Sequence, residues 1–219
     1  MNIALIVFAG QGSRINSKVP KQFIKINGKE IVSYTIEAFQ FSPEIDEIVL
    51  VTNRDYIDYV NNLVKKYSFD KVKHVLVGGN TRQESVKLGL INTDYDAKDN
   101  ILIHDGDRPL VNELIIKNNV EALKSHDVVC TYIPHAEALG HVSNLGRAKI
   151  VDNIRIDVQT PQSFKYGLIK KYHIERELEM FSDDIGLVEE DHKVFYLHGN
   201  KYNFKVTTDI DLKVLESLL

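Results

Sequence analysis

Apolar positions in this chain come in blocks. Residues 2–8 (NIALIVF) form a nearly continuous apolar run, and similar runs recur at 46–52 (DEIVLVT), 72–78 (VKHVLVG), 100–104 (NILIH) and 127–133 (DVVCTYI). Short apolar runs without strict alternation read as strands covered on both faces, the habit of a parallel sheet. Between them the period lengthens to that of a helix, at 31–39 (IVSYTIEAF), 56–67 (YIDYVNNLVKKY), 82–90 (RQESVKLGL) and 113–125 (ELIIKNNVEALKS). Strand and helix in alternation predict an α/β fold, a Rossmann-like, mostly parallel sheet with helices on both faces. Ligands of such sheets sit beyond the carboxyl ends of the strands.

Two stretches break the rhythm. Residues 134–157 (PHAEALGHVSNLGRAKIVDNIRID) lack a sustained helical face and carry two glycines. They predict a protruding hairpin arm with a turn near Asn144–Gly146. An exposed arm with alternating apolar residues needs a partner to cover it, so a dimer contact is expected there. The terminal TTDIDLKVLESLL opens with Thr208 and Asp211 at capping-box spacing and predicts a closing helix.

Composition narrows the class. A chain of 219 residues suits one α/β domain over 1–219. The formal net charge of −4 gives the whole molecule no footprint for nucleic acid or an anionic membrane, so an anion site has to be a local basic cluster. No apolar stretch reaches membrane-spanning length, and a strand at the very start leaves no room for a signal peptide. The single cysteine, Cys130, cannot form an internal disulfide and lies in an apolar run, which predicts a buried strand residue. Together these features predict a cytoplasmic protein with no membrane or nucleic-acid partner.

The chemistry gathers at the predicted strand ends. The first strand runs into VFAGQGSRINSKVPKQF (7–23), where Gly10 and Gly12 suggest a dinucleotide loop, but Ile15 occupies the place of the third glycine. A Walker A loop is absent too. Pro20 and the turn-like Asn27-Gly28 make this an extended loop. Its glycines let backbone N–H groups approach an anion, and Arg14 and Lys21 supply charge along a longer path. The alternative is a glycine-rich turn with solvated charges. After the third strand, Gly78 and Gly79 permit close backbone approach, and Arg82 and Ser85 open the next helix; a nucleobase or ribose contact and a plain helix start are equally consistent. Asp105 follows the fourth strand directly, where an α/β enzyme places a metal carboxylate. For Asp107 and Arg108 the alternative to a role at the site is a local turn pair before Pro109, and His104 reads as a histidine packed at a strand end rather than a base. Lys205 falls in YNFKVTT, read as a short apolar strand, from which it must snorkel outward or meet an anion or carboxylate.

Six segments now stand in order: AGQGSR…PKQF, GGNTRQES, HDGDRP, QTPQSF, SDD and NFKVTT. Together they resemble the cytidylyltransferase family that includes 2-C-methyl-D-erythritol 4-phosphate cytidylyltransferase and ribitol-5-phosphate cytidylyltransferase. The resemblance runs over nearly the whole chain. It implies a fold of the nucleotide-diphospho-sugar transferase type and an enzyme that joins CMP from CTP to a polyol phosphate, releasing pyrophosphate. By motif position it implies Arg14, Lys21 and Lys205 as catalytic cations. Ala9, Gly10, Gly12, Gly79, Arg82, Ser85, Asp105 and Gly106 would lie at the nucleotide, with Asp105 on Mg²⁺ or another divalent cation. Arg108, Thr160 and Asp183 would lie at the acceptor. It also implies a homodimer whose arms reach into the neighbouring subunit's site.

The chain departs from the family pattern where the acceptor would be held. The usual double-glycine opening is reduced to Phe8-Ala9-Gly10-Gln11-Gly12. Glu137 and Ala138 stand where the family has an Asp-Thr pair, and Asp152 replaces an arginine eight residues before TPQ. Nucleotide transfer is therefore better supported than any one acceptor. The expected acceptor resembles ribitol 5-phosphate, with methylerythritol phosphate or a sugar-1-phosphate nucleotidylyltransferase as alternatives. Against a dinucleotide-dependent oxidoreductase, the chain lacks both the third glycine and an acidic end to the second strand.

Overall fold

The structure, a computed structural model, describes residues 1–10, 15, 17, 19–137, 140–142, 148–150, 155–176 and 178–219, with the backbone alone for 140–142 and 148–150. In chain order its elements are β1 (Asn2–Phe8), the short β2 (Lys25–Ile26) and β3 (Lys29–Glu30), α1 (Ile31–Phe41), β4 (Glu47–Thr52), α2 (Ile57–Lys66), β5 (Val72–Val77), α3 (Arg82–Ile91) and β6 (Asn100–Asp105). There follow α4 (Glu113–Ala122), β7 (Val128–Pro134), β8 (Gly140–Val142), β9 (Ala148–Ile150), β10 (Ile156–Lys165), α5 (Tyr166–Glu175), β11 (Phe195–His198) and α6 (Asp209–Leu218).

The apolar run of β1 is explained by its place. Ala4, Ile6 and Phe8 pack into one core with Ile36, Phe39, Val60 and Ile116 of α1, α2 and α4. Ile3, Leu5 and Val7 face the opposite core with Val86, Leu90 and Ile169 of α3 and α5. Successive side chains of a strand point to opposite faces, so a strand between two helical layers must be apolar throughout. Gly89 lets α3 lie close on the sheet: a Cβ there would stand 2.7 Å from Leu5 Cδ1.

The main sheet runs β11-β7-β10-β6-β1-β4-β5. It is parallel except for β10, which is antiparallel to both neighbours. The chain builds outward from β1 to β4 and β5, then returns to place β6 on the other side of β1. Such a reversal opens a crevice at the carboxyl ends of the central strands.

The expected α/β architecture is thus present, with differences at its edges. Sequence patterning did not anticipate β10, α5 or β11. Residues 202–206 form no strand, contrary to the reading of Lys205; Val206 N–H donates to Asp107 O at 2.9 Å, tying this segment to the loop after β6 instead. Asn27 (φ 50°) and Gly28 (φ 80°) make the tight turn between β2 and β3, as their sequence suggests. The capping box of α6 forms reciprocally: Asp211 N–H donates to Thr208 Oγ1, and Thr208 N–H to Asp211 Oδ2. β8 and β9 pair as an antiparallel hairpin forming a sheet of its own. The expected turn at Asn144–Gly146 lies outside the described residues, as do Ala138 and Asp152. Cys130 is fully buried on β7, and burial pushes its thiol up to about 12, so it is inert as expected.

Candidate active site

The floor of the crevice is set by the ends of β1, β5 and β6. A fully enclosed amide holds the first of them: Gln22 Nε2 donates to both Phe8 O and Gly10 O at 2.8 Å. That brace fixes the chain as it leaves β1. At the end of β5, Gly78 presses against the same loop; a Cβ there would lie 2.5 Å from Ala9 Cβ. Thr81 caps α3, accepting from Glu84 N–H, and Ser85 Oγ accepts from Gly79 N–H at 3.1 Å while donating to Thr81 O. The start of α3 is therefore rigid, and its N-terminal end favours an anion.

Two adjoining cavities result. The first, about 250 Å³, is lined by Ala9, Gly10, Gly79 and Ser85 together with the charged Lys21, Arg82, Asp105, Asp107 and Lys205. The second, about 160 Å³, is lined by Arg108, Thr160, Asp183 and Ser182, and again by Arg82, Asp105 and Lys205. Arg82, Asp105 and Lys205 are common to both and form the wall between them. Asp105 at the end of β6 and Lys205, 100 positions later, thus meet at one point. Among the described residues each cavity carries three basic groups against two acidic ones: Lys21, Arg82 and Lys205 against Asp105 and Asp107 in the first, Arg82, Arg108 and Lys205 against Asp105 and Asp183 in the second. The local cationic excess that the acidic chain requires for an anion site is present.

The shared wall is an ion-pair line. Arg82 Nε donates to Asp105 Oδ1 at 2.8 Å, and Lys205 Nζ to Asp105 Oδ2 at 2.9 Å. Arg108 Nε lies 3.6 Å from the same Oδ2. Burial alone would raise the Asp105 carboxyl, but Arg82, Lys205 and Arg108 outweigh it and hold it well below the usual carboxylate range. Lys21 Nζ meets Asp107 Oδ2 at 2.5 Å and donates to Val206 O at 2.8 Å. Asp107 and Arg108 are therefore not a turn pair. Asp107 faces Lys21, and Arg108 reaches across to Asn203 O at 2.9 Å. The reason is the turn after β6, which sends consecutive side chains to opposite sides of the crevice.

His104 is a structural link, as its strand-end position suggested. Asp105 N–H donates to Thr160 Oγ1, which pairs at 3.1 Å with His104 Nδ1, while His104 Nε2 faces Arg108 O at 3.2 Å. This assigns the Nε2–H tautomer. Burial lowers the ring from its usual 6.5 to about 3. The sign follows directly. Below about pH 6.5 the unfolded chain binds a proton at His104 that the folded chain refuses, so stability falls as pH drops toward 3, by up to ~1.4 kcal/mol per unit. The ring resonances of His104 should therefore stay in the neutral form from pH 8 down to pH 5. A His104 titration near pH 6.5 in the folded protein would contradict this network.

The predicted residues come together with specific exceptions. Gly106 lines neither cavity: its N–H donates to Val7 O, its carbonyl accepts from Thr35 Oγ1, and a Cβ would meet Phe8. Its place is therefore a packed turn against β1 and α1. Arg14 and Gly12 lie outside the described residues. Thr160 borders the second cavity, although its hydroxyl is engaged inward. Sequence reading missed Gln22, Asp184, His173 and Asn203, all of them buried polar side chains. For a divalent cation, Asp105 and Asp107 both line the first cavity, and Asp107 Oδ1 is a buried oxygen with no hydrogen-bond partner. One or two carboxylates suffice for a magnesium ion carried on phosphates, so the donor set fits. Among the described residues no cluster of three His, Cys, Asp or Glu would hold a metal without a nucleotide.

Comparison with known proteins agrees with this geometry. The family model of IspD, 2-C-methyl-D-erythritol 4-phosphate cytidylyltransferase, matches residues 2–219. A 2-C-methyl-D-erythritol 4-phosphate cytidylyltransferase of Clostridium novyi is 39% identical over 227 residues, covering 100% of this chain and 96% of that protein. A ribitol-5-phosphate cytidylyltransferase of Vibrio parahaemolyticus is 36% identical over 228 residues, covering 100% and 96%. The crystal structure of 4-diphosphocytidyl-2C-methyl-D-erythritol synthase from Anaerococcus prevotii superposes with a TM-score of 0.86 at 27% identity, over 99% of this chain and 95% of that one. No helix among the described residues is long and apolar enough to cross a membrane. Matched over nearly its whole length, and carrying paired cavities at the switch point of the sheet, the chain belongs to the IspD family of cytidylyltransferases.

Proposed function

We propose that this enzyme transfers CMP from CTP to a polyol phosphate resembling ribitol 5-phosphate and releases pyrophosphate. The observation that carries the reading is the wall of Arg82, Asp105 and Lys205 shared by two adjoining cavities. A larger cavity at the glycine loop and the start of α3 suits the nucleotide. The smaller one, between Arg108, Thr160 and Asp183, suits the acceptor phosphate. An oxygen of the acceptor phosphate forms a bond to the α-phosphorus of CTP, and the bond from that phosphorus to the β-phosphate oxygen breaks. A phosphate monoester is mostly dianionic at neutral pH, with a second pKa of about 6, so no general base is required. The obstacle is repulsion between anions, and the chain answers it with positioned cations.

In this reading Lys21 and Lys205 stabilise charge at the reacting phosphate and on the leaving pyrophosphate, joined by Arg14 from the opening loop. Ala9, Gly10, Gly12, Gly79, Arg82 and Ser85 shape the nucleotide side. Asp105, with Asp107, would hold Mg²⁺, which when bound neutralises phosphate charge. The whole of 1–219 acts as one nucleotidyltransferase domain in the cytoplasm. The hairpin at 134–157 carries the dimer contact, and CTP and the polyol phosphate are its small-molecule partners.

The acceptor preference rests on Glu137, Ala138 and Asp152: an aspartate in place of an arginine removes a forked cation from any acceptor phosphate, and compensation from Arg147, Lys149 or Arg155, at other positions in the arm, would hold that phosphate in a different pose and suit a different carbon skeleton. Methylerythritol phosphate is the second reading, favoured by the 39% identity to the Clostridium novyi enzyme. Pyrophosphate release with CTP, Mg²⁺ and a panel of methylerythritol phosphate, ribitol 5-phosphate and glycerol phosphates separates the two. The expected result is the highest kcat/KM for ribitol 5-phosphate. A clear preference for methylerythritol phosphate would show the substitutions to be silent.

A further inference from the structure

Beyond the cavities, a buried line of charge continues from their shared wall into the apolar core. Arg82 Nη1 donates to Asp184 Oδ2 at 2.7 Å, so the guanidinium meets Asp184 through a different nitrogen from the Nε that meets Asp105. Asp184 Oδ1 lies 3.0 Å from Nε2 of His173, on α5. Asp184 and His173 are each only 1% exposed, and neither lines either cavity. Ile169, one turn before His173 on α5, and Ile185, Leu187 and Val188, which follow Asp184 in the chain, are all fully or almost fully buried. An aspartate in such a place costs several kcal/mol unless it is paired, and well-packed apolar residues commonly do as well for stability. The main chain anchors it further: Gln162 Oε1 accepts from both Asp184 N–H and Ile185 N–H, at 2.9 and 3.1 Å.

We propose that Asp184 and His173 are positioning residues, a buried clamp that fixes the guanidinium plane of Arg82 in the wall between nucleotide and acceptor. The proposal rests on the assignment of the two cavities given above. A planar guanidinium held by two carboxylates through two of its nitrogens cannot rotate, whereas one held by Asp105 alone can. His173 Nε2–H supplies the donor that keeps Asp184 oriented toward Arg82. Burial would raise the Asp184 carboxyl; Arg82 and the hydrogen bond from His173 outweigh that and hold it below its ordinary value, so both donors act on an ionised group. Because Arg82 belongs to both cavities, loosening it disturbs the placement of one substrate against the other more than the affinity for either. Such an error appears in kcat rather than KM.

His173→Leu removes the donor, and His173→Gln retains one, because the glutamine amide can reach the place of Nε2. Assayed well below their melting temperatures, His173→Leu should lose about tenfold in kcat with KM for CTP changed less than about threefold, and His173→Gln should recover to within about threefold of the parent. Asp184→Asn should behave like His173→Leu. Equal kcat in the leucine variant and the parent, or equal impairment of leucine and glutamine variants, would overturn the clamp. A readout independent of turnover is the Arg82 Nε–H signal in NMR. It should exchange with solvent more slowly than those of the other arginines in the parent, and faster in His173→Leu. A rapidly exchanging signal in the parent also overturns the proposal, even if the leucine variant fails to fold. If the parent released no pyrophosphate with CTP and any acceptor, the cavity assignment would fall, and the exchange rate would still judge the clamp.

Discussion

Asp105→Asn should lower the melting temperature by about 6–12 °C and CTP-dependent turnover by at least ~10²-fold. Asp105 is 5% exposed and is the meeting point of Arg82, Lys205 and Arg108. An amide keeps the shape and two hydrogen-bonding atoms but removes the charge that balances three cations. Deleting one partner of a buried pair costs about 3–5 kcal/mol, because the other charge remains buried. The lower end applies here. Lys205 is 33% exposed and can turn to water, and Arg82 keeps Asp184. A 3 kcal/mol loss in a chain of this length corresponds to the shift in melting temperature stated above. The rate falls for two further reasons. Arg82 and Lys205 lose their common anchor, and an amide is a poor magnesium ligand. Urea denaturation and pyrophosphate release check the two effects separately. A variant within 1–2 °C of the parent would show that Asp105 is not the balancing charge of the wall.

How much of this was legible beforehand depends on how locally each feature is encoded. β1, β4, β6 and β7 announce themselves because a strand between two helical layers has no polar face. β10 was hidden by the same logic. Its residues IDVQTPQSFK carry a proline and a polar stretch, which reads as a loop. Yet Gln159, Thr160, Gln162 and Ser163 are all buried. Each is satisfied by a group far along the chain: Gln159 by Asn200 and Asn203, Thr160 by His104 and the backbone of Asp105, Gln162 by the backbone of Asp184, Ser163 by Asn119. The ladder to β7 shifts register between Val158 and Gln162, which accommodates Pro161. Burial of polar residues with distant partners leaves no periodic trace, so no reading of a local window could have found this strand.

The candidate site divides along the same line. Lys21, Asp105 and Lys205 stood out as charges beside apolar runs, and the demand that Lys205 meet an anion or carboxylate is met by Asp105. What the sequence did not reveal is pairing at long range. Lys21 finds Asp107, and Arg82 finds Asp184 102 positions later. Gln22 looked like one more polar residue in a basic loop, and only the fold shows it enclosed between two carbonyls. Asp183 and Asp184 are adjacent and chemically identical. Which of them borders a cavity and which turns inward to His173 is decided by the turn that bonds Gly186 N–H to Asp183 Oδ1.

Lys21→Ala should reduce turnover on the order of 10²–10³-fold while the fold survives. Lys21 is the first residue of a short 3-10 turn after Pro20, and its side chain is only 11% exposed at the mouth of the larger cavity. Its ammonium sits between Val206 O and Asp107, so part of its charge is already balanced in the absence of a nucleotide. Triphosphate binding would exchange that partner for phosphate oxygens, a swap that a flexible lysine makes easily and a planar arginine does not. Lys21→Arg should therefore be impaired as well, which a purely charge-counting account would not expect. Among the described residues, removing Lys21 leaves Asp107 with Lys205 at 3.9 Å as its remaining cation, and the resulting instability complicates a single-variant experiment. Lys21→Ala combined with Asp107→Asn removes both members of the pair. Such double replacement is nearly neutral when neither charge is left alone. The double variant should thus regain stability toward that of the parent and regain no turnover. Recovery of turnover together with stability would mean that Lys21 serves only to balance Asp107, and the charge at the reacting phosphate would have to come from elsewhere in the opening loop.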